Sequence, residues 1–212
     1  MDACCETKSA ELGELRNKHK NVLVAVLVIN AALFVIEAVA GLLANSTALL
    51  ADSLDMLGDS LVYGFSLYVL RRSAEWKAKA ALLKGAIMGV FGAGVLLEAI
   101  YKTVSGIMPS AETMGIIGGL VLLGNGICFL LLLRHRADDL NMRSTWLCSR
   151  NDIIANLSVL AAAIGVKVFD ANWPDILVGA AIAALFLRSA FSVLRESLFE
   201  LRLIRSQSTT AA

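Results

Sequence analysis

Residues 22–43 read VLVAVLVINAALFVIEAVAGLL, an apolar run whose single charged residue is Glu37. A helix needs about 20 consecutive, mostly apolar residues to cross the hydrocarbon core of a bilayer. The run therefore predicts a membrane-spanning helix. Five similar runs follow it, and the full set of predicted spans is 22–43, 47–70, 86–106, 113–133, 145–168 and 174–195.

The composition of the whole chain agrees with a membrane protein. Of its 212 residues, 58% are hydrophobic and 17% are charged, whereas soluble domains are about half apolar and about a quarter charged. No segment shows the alternation of a β-strand. We therefore predict an all-α membrane protein with six transmembrane helices. The net charge of +1 gives no sign of a nucleic-acid partner, and we expect none.

The distribution of cations along the chain predicts its topology. Most of the 19 Lys and Arg residues lie before the first span, between spans two and three, between spans four and five, and after the sixth. Cytoplasmic segments carry such an excess, so both termini are predicted to be cytoplasmic. The predicted parts are a cytoplasmic N-terminal segment (1–21), a six-helix transmembrane domain (22–202) and a short polar tail, expected to fray (203–212).

Acidic residues lie inside two of the predicted spans, where a charged side chain is costly and usually functional. Asp55 and Asp59 are four residues apart in the second span, and Cys148 and Asp152 are four apart in the fifth. Residues i and i+4 of a helix share one face. Two facing pairs would bring four side chains to one point, and a tetrahedral set of Cys, His and carboxylate donors suits zinc. The predicted metal ligands are therefore Asp55, Asp59, Cys148 and Asp152.

Five other polar residues leave alternatives open. Asp52 is either an outer relay for the metal or a solvated residue of a cavity. Asn151 and Asn156 are alternative fourth ligands, and either one or Asp52 could instead support the ligands from behind. Glu37 and Glu98 could carry protons or line a water-filled cavity, although a satisfied structural role is favoured for each.

A family resemblance rests on the second span and its approach. Residues 41–59 read GLLANSTALLADSLDMLGD, which closely resembles the second-helix signature of the cation diffusion facilitators. In that family a His or Asp, followed four residues later by Asp, supplies half of the transport site, which matches Asp55 and Asp59. The fifth helix supplies His and then Asp; Asp152 matches that Asp, and Cys148 stands where His is usual. A thiolate ligand favours cadmium relative to zinc.

The resemblance covers all six spans and implies an efflux transporter of divalent metal cations in a multi-pass membrane protein. Zinc or cadmium would be cargo, with no prosthetic group, and the expected location is a bacterial cytoplasmic membrane. Carboxylates crowded in a low dielectric cannot all stay ionised without a cation, so the site would hold either metal or protons. The expected mechanism is metal/proton antiport by alternating access.

The resemblance also implies a homodimer. Family members usually continue into a cytoplasmic domain, and we expect a protein that lacks it, because the sequence ends soon after the last span. Any dimerisation or metal sensing that depends on that domain would then be absent or would lie in the membrane region. Gly85 and Gly89 permit close helix approach, either within one chain or across such a dimer.

Two other classes of function compete with transport. A metal sensor or assembly subunit would bind metal and move nothing, and no feature of the sequence excludes it. An enzyme is the other alternative, because Asp52, Asp55 and Asp59 resemble the Asp-rich magnesium motif of membrane prenyltransferases. Magnesium prefers all-oxygen ligands, so Cys148 argues against that enzyme, and no second motif of this spacing follows. We therefore expect a transporter and not an enzyme.

Overall fold

The computed structural model describes the backbone of residues 2–69, 74–133 and 140–210, and the side chains of residues 22, 24–61, 75–133, 150–204 and 206. Every regular element in this part of the chain is a helix, and it contains no strand. The helices are α1 (Asp2–Leu43), α2 (Thr47–Val69), α3 (Ala74–Ser105), α4 (Ala111–Leu133), α5 (Leu140–Phe169) and α6 (Trp173–Thr210). The predicted all-α fold with six helices is confirmed.

Five of the six helices contain an apolar stretch long enough to cross a membrane: α1, α3, α4, α5 and α6. The side chains of α2 are described only as far as residue 61, and this part of the helix, with its three aspartates, is not among the five stretches. Large apolar side chains cover the outside of the bundle, as at Leu43, Val90 and Val104, which are 73–84% exposed. Such a surface suits contact with lipid, as expected of an integral, multi-pass membrane protein.

The ends of several helices differ from the predicted spans. α3 begins at Ala74 and α5 at Leu140, before the predicted starts at 86 and 145. α6 continues to Thr210, so the expectation of a frayed tail is wrong for residues 203–210. Hydropathy marks where a helix would leave the bilayer, whereas polar residues can prolong it in water. At the start of α3, Lys79 Nζ lies 2.6 Å from Glu75 Oε1 one turn away, a pair that stabilises a helix.

α2 is the most enclosed helix among the described residues. α1 packs mainly against α2, α3 against α6, and α4 against α5, while α2 also contacts α3, α5 and α6. All residues from 46 to 54 are buried. Leu49 and Leu54 join Met88 of α3 and Phe186 of α6 in the main apolar cluster. The aspartates of α2 are therefore held inside the bundle and not on its surface.

Three short connections, residues 44–46, 106–110 and 170–172, are tied together at one end of the bundle, here called the short-loop end. The first is a tight turn between α1 and α2, in which Asn45 adopts a left-handed φ of 52° that Asn tolerates well. Ser110 N donates to Ala44 O at 2.9 Å. Asn172 Nδ2 donates to Lys102 O and Ile107 O at 3.3 and 3.2 Å.

The glycines of α3 divide between two environments. A Cβ added at Gly85 would lie 2.9 Å from Leu194 Cγ, and one added at Gly92 would lie 2.9 Å from Leu187 Cδ2. These two glycines therefore allow α3 to approach α6 within the chain. A Cβ at Gly89 would meet no described atom within 4 Å. The predicted pair is thus split, and the homodimer stays a prediction.

Candidate functional site

The acidic face of α2 lies in the interior of the bundle. Asp52 is 1% exposed, Asp59 is 9% exposed, and Asp55 is half-buried. Asp55 and Asp59 are one helical turn apart on a shared face, as their spacing predicts. Gly58 lies against α6 instead, since a Cβ there would be 3.3 Å from Phe186 Cε2.

α5 brings its own polar residues to this face of α2. Asn156 Nδ2 donates to Asp52 Oδ2 at 2.6 Å, and Asp152 lies one turn before Asn156 on the same face. Asp152 and Asp59 are both close enough to Cys128 of α4 for their charges to act on its thiol. One carboxylate from α2 and one from α5 therefore lie in the neighbourhood of Cys128, and Asn156 joins the same two helices at Asp52.

The fourth predicted ligand, Cys148, lies one turn before Asp152 in α5, and its side chain is outside the described side chains. Among the side chains that are described, no three His, Cys, Asp or Glu residues converge closely enough to hold a metal ion. The set of Asp55, Asp59, Cys148 and Asp152 therefore stays a prediction. Asn151, an alternative ligand, is half-buried.

A chain of buried amide and carboxyl groups crosses the bundle beside these residues. Asn125 Nδ2 of α4 donates to Asn156 Oδ1 at 2.8 Å, and Asn156 in turn donates to Asp52. Both ends of the Asn156 amide are therefore engaged, which favours Asn151 over Asn156 as an alternative ligand. Asp52 is bonded inside this chain, so the prediction of a solvated residue is wrong.

The comparison with protein families decides what kind of bundle this is. A family model described as the cation efflux transmembrane domain matches residues 23–202, which include α2 to α5 entirely and large parts of α1 and α6. The chain belongs to the cation diffusion facilitator family. The resemblance carried by residues 41–59 is confirmed, and the protein is a membrane transporter of metal cations. A comparison with curated proteins gives no match.

In this cation diffusion facilitator, Glu37 has an environment that the sequence did not predict. It lies in α1, is fully buried, and is within hydrogen-bonding reach of Asp52. Neither of its carboxyl oxygens receives a hydrogen bond from any donor in the described part of the chain. The satisfied structural role favoured for Glu37 is therefore wrong.

Glu98 behaves as the sequence predicts. Its Oε1 lies 2.6 Å from Lys102 Nζ, one turn further along α3. The Lys102 side chain is 4% exposed and that of Glu98 is 27% exposed. A buried ammonium needs a partner of opposite charge, and Glu98 is the ion-pair partner of Lys102.

Asp175, in the first turn of α6, is a buried carboxylate that sequence reasoning missed. It accepts hydrogen bonds from Ser46 Oγ at 2.6 Å, Thr47 N at 2.8 Å and Ala48 N at 3.0 Å. The first backbone N–H groups of a helix have no partner within that helix. Asp175 therefore caps α2 from a different helix, and we call this contact the Asp175 clasp. An acidic residue directly after Pro174 is a sequence signal for the start of α6. Nothing in the local sequence indicates that the same residue caps α2.

Proposed function

We propose that this cation diffusion facilitator exports divalent transition-metal cations, zinc or cadmium, from the cytoplasm in exchange for protons. The observation that carries the proposal is the grouping of acidic residues from two helices inside the bundle. Asp59 of α2 and Asp152 of α5 both act on Cys128, and Asn156 ties the same two helices together at Asp52. Carboxylates inside a membrane-spanning bundle are the kind of residue that marks an ion pathway.

The proposed ligands are Asp55, Asp59, Asp152 and Cys148. Three carboxylates and a thiolate suit a tetrahedral ion that accepts oxygen and sulfur, and the thiolate raises the preference for cadmium. Binding would draw the carboxylates together, because the cation removes their mutual repulsion. Magnesium, which prefers octahedral oxygen ligands, would be rejected.

Exchange with protons follows from the same ligands. Carboxylates and a thiol must lose their protons to bind metal, so metal and protons compete for one site. If the bundle opens that site to each side of the membrane in turn, an inward proton gradient drives metal outward. The cation distribution supports cytoplasmic termini. We also propose that the protein lies in a bacterial cytoplasmic membrane and forms a homodimer.

The test is metal flux in proteoliposomes of purified protein under a pH gradient, with zinc, cadmium and magnesium compared. Wild-type protein should transport zinc or cadmium in response to the gradient, and not magnesium. Asp59→Ala and Asp152→Ala should each abolish flux while the protein stays folded. Glu112→Gln, at an exposed acid in the first turn of α4, is the matched control and should transport normally.

The outcomes separate the competing functions. Normal flux in Asp59→Ala or Asp152→Ala would refute the site. Metal binding without flux in folded wild-type protein would favour a sensor or an assembly subunit instead.

A further inference from the structure

Glu37 and Asp52 form a pair of carboxyl groups buried between α1 and α2. Glu37 is 0% exposed and Asp52 is 1% exposed. The two side chains lie within hydrogen-bonding reach of each other. An ionised carboxylate only accepts hydrogen bonds, so two ionised groups in this position would repel each other and share no bond.

Only one of the four carboxyl oxygens of the pair receives a hydrogen bond from the described part of the chain. Asp52 Oδ2 receives the Asn156 amide at 2.6 Å. Asp52 Oδ1 and both oxygens of Glu37 receive no hydrogen bond from the described part of the chain. Buried polar atoms are costly when they lack a partner. A single proton between the two carboxyl groups would supply the missing donor.

The charges around Glu37 point the same way. α1 packs against α2, α4, α5 and α6, and the charges that act on Glu37 come from Asp52 and Asp55 of α2. The other buried or half-buried ionisable groups described on these four helices are Asp59 (α2), Cys128 (α4), Asp152 (α5) and Asp175 (α6). Every Lys and Arg with a described side chain on these helices is exposed. The buried cations among the described residues, Lys84 and Lys102, lie on α3, which packs against α2.

We propose that Glu37 and Asp52 share one proton and form a proton site separate from the metal ligands, from which the counter-ion of transport is released. This inference rests on the proposed function. The pair is linked to the metal ligands from both sides, because Asp52 lies one turn before Asp55, and Asn156 lies one turn after Asp152.

The exchange would then proceed as follows. A divalent cation at Asp55 adds positive charge close to the pair, since the charge of Asp55 already acts on Glu37. The ionised form of the pair becomes more favourable, the O–H bond breaks, and the proton passes to water on the side to which the site is open. When the metal leaves, the pair takes up a proton from the other side. The chain of Asn125 and Asn156 holds Asp52 in place through both steps.

The first measurement counts protons. Zinc is titrated calorimetrically into purified protein in two buffers that differ in ionisation enthalpy, which gives the number of protons released per bound zinc. Glu37→Gln removes the shared proton but keeps the size of the side chain, and should release about one proton fewer than wild type. The control Glu112→Gln should release the wild-type number. Equal proton release by folded Glu37→Gln and wild type would overturn the proposal.

A second measurement needs no variant and covers the case in which Glu37→Gln does not fold. Infrared difference spectra of wild-type protein, with glutamate labelled by ¹³C at the side-chain carboxyl and separately with aspartate so labelled, are recorded before and after zinc addition. A protonated carboxyl band that shifts with the glutamate label and disappears on zinc binding is expected at neutral pH; the aspartate label alone would not identify the pair, because the metal ligands Asp55, Asp59 and Asp152 also exchange protons for metal. If the glutamate label shifts no protonated band in the metal-free protein, the proposal is wrong.

These measurements separate the inference from the function on which it rests. Absence of metal flux in wild-type proteoliposomes would refute the transport mechanism, whereas the infrared band reports on the proton whether or not transport occurs. Coupled flux in wild type, with unchanged proton release in Glu37→Gln, would keep the transporter and reject the proton site.

Discussion

Replacing Asp175 by Ala removes a carboxylate that serves a helix other than its own. The substitution leaves three groups without their acceptor: the Ser46 hydroxyl and the backbone N–H groups of Thr47 and Ala48. All three residues are fully buried. We therefore expect Asp175→Ala to destabilise the fold by loosening the start of α2.

The magnitude follows from these contacts. A buried donor that loses its partner costs about 1–3 kcal/mol, and loss of a helix cap costs about 1 kcal/mol. The Ser46 hydroxyl still accepts from Leu49 N at 3.1 Å, which retains part of the cap. The expected loss is therefore about 3 kcal/mol, below the sum of the separate costs because the bonds are not independent. Asp175→Asn keeps one acceptor oxygen and should lose about half as much.

Thermal unfolding in detergent, followed by circular dichroism, tests the prediction. A loss of about 3 kcal/mol corresponds to a decrease in Tm of about 6–12 °C for a chain of this size. Glu112→Ala is the matched control, because Glu112 is also an acid in a first helical turn but is exposed; its Tm should be close to that of wild type. The reasoning fails if Asp175→Ala melts with the control.

Three further predictions follow from packing, buried charge and ligand chemistry. Gly179→Ala should destabilise the protein by about 1–3 kcal/mol, because the added Cβ would lie 2.6 Å from the backbone carbonyl carbon of Thr47. The control is Gly119→Ala, whose added Cβ would meet no described atom within 4 Å. Thermal unfolding should show a lower Tm for the first variant and little change for the second. Glu98→Leu leaves the buried Lys102 ammonium without its partner and should cost about 3 kcal/mol, whereas Glu98→Leu with Lys102→Met should recover most of that loss; equal Tm values for the single and double variants would contradict this. Zinc affinity measured by calorimetry should fall as the pH is lowered from 7.5 to about 5.5, because protons then occupy carboxylates that must be ionised to bind metal; an affinity independent of pH would argue against carboxylate ligands.

The number and order of the helices could be predicted because each depends on a local property, the length of an apolar run. The start of α3 and the end of α6 could not, because hydropathy reports the solvent around a helix and not where its backbone hydrogen bonds stop. Polar residues such as Glu75 and Lys79 form a helix as readily as apolar ones. The predicted span therefore marks only the part of α3 that suits lipid.

Part of the candidate site could likewise be predicted from local sequence, and part depends on how the helices pack. The shared faces of Asp55 with Asp59, and of Asp152 with Asn156, follow from helical periodicity alone. The meeting of Glu37 with Asp52 depends on how α1 and α2 align across their turn. That alignment was nevertheless readable in the sequence: Glu37 lies eight residues before Asn45, and Asp52 lies seven residues after it. In a tight antiparallel hairpin, residues equally far from the turn lie side by side.

The Asp175 clasp also makes α2 a lever that is anchored at one end. At a rise of about 1.5 Å per residue, Asp52 lies about 7.5 Å and Asp59 about 18 Å along the helix from Thr47. A swing of about 10° about that anchor displaces Asp52 by about 1 Å and Asp59 by about 3 Å, from the same helical rise. Small tilts of α2 therefore leave the Glu37–Asp52 pair nearly in place while they carry Asp59 through a distance comparable to a metal–ligand bond.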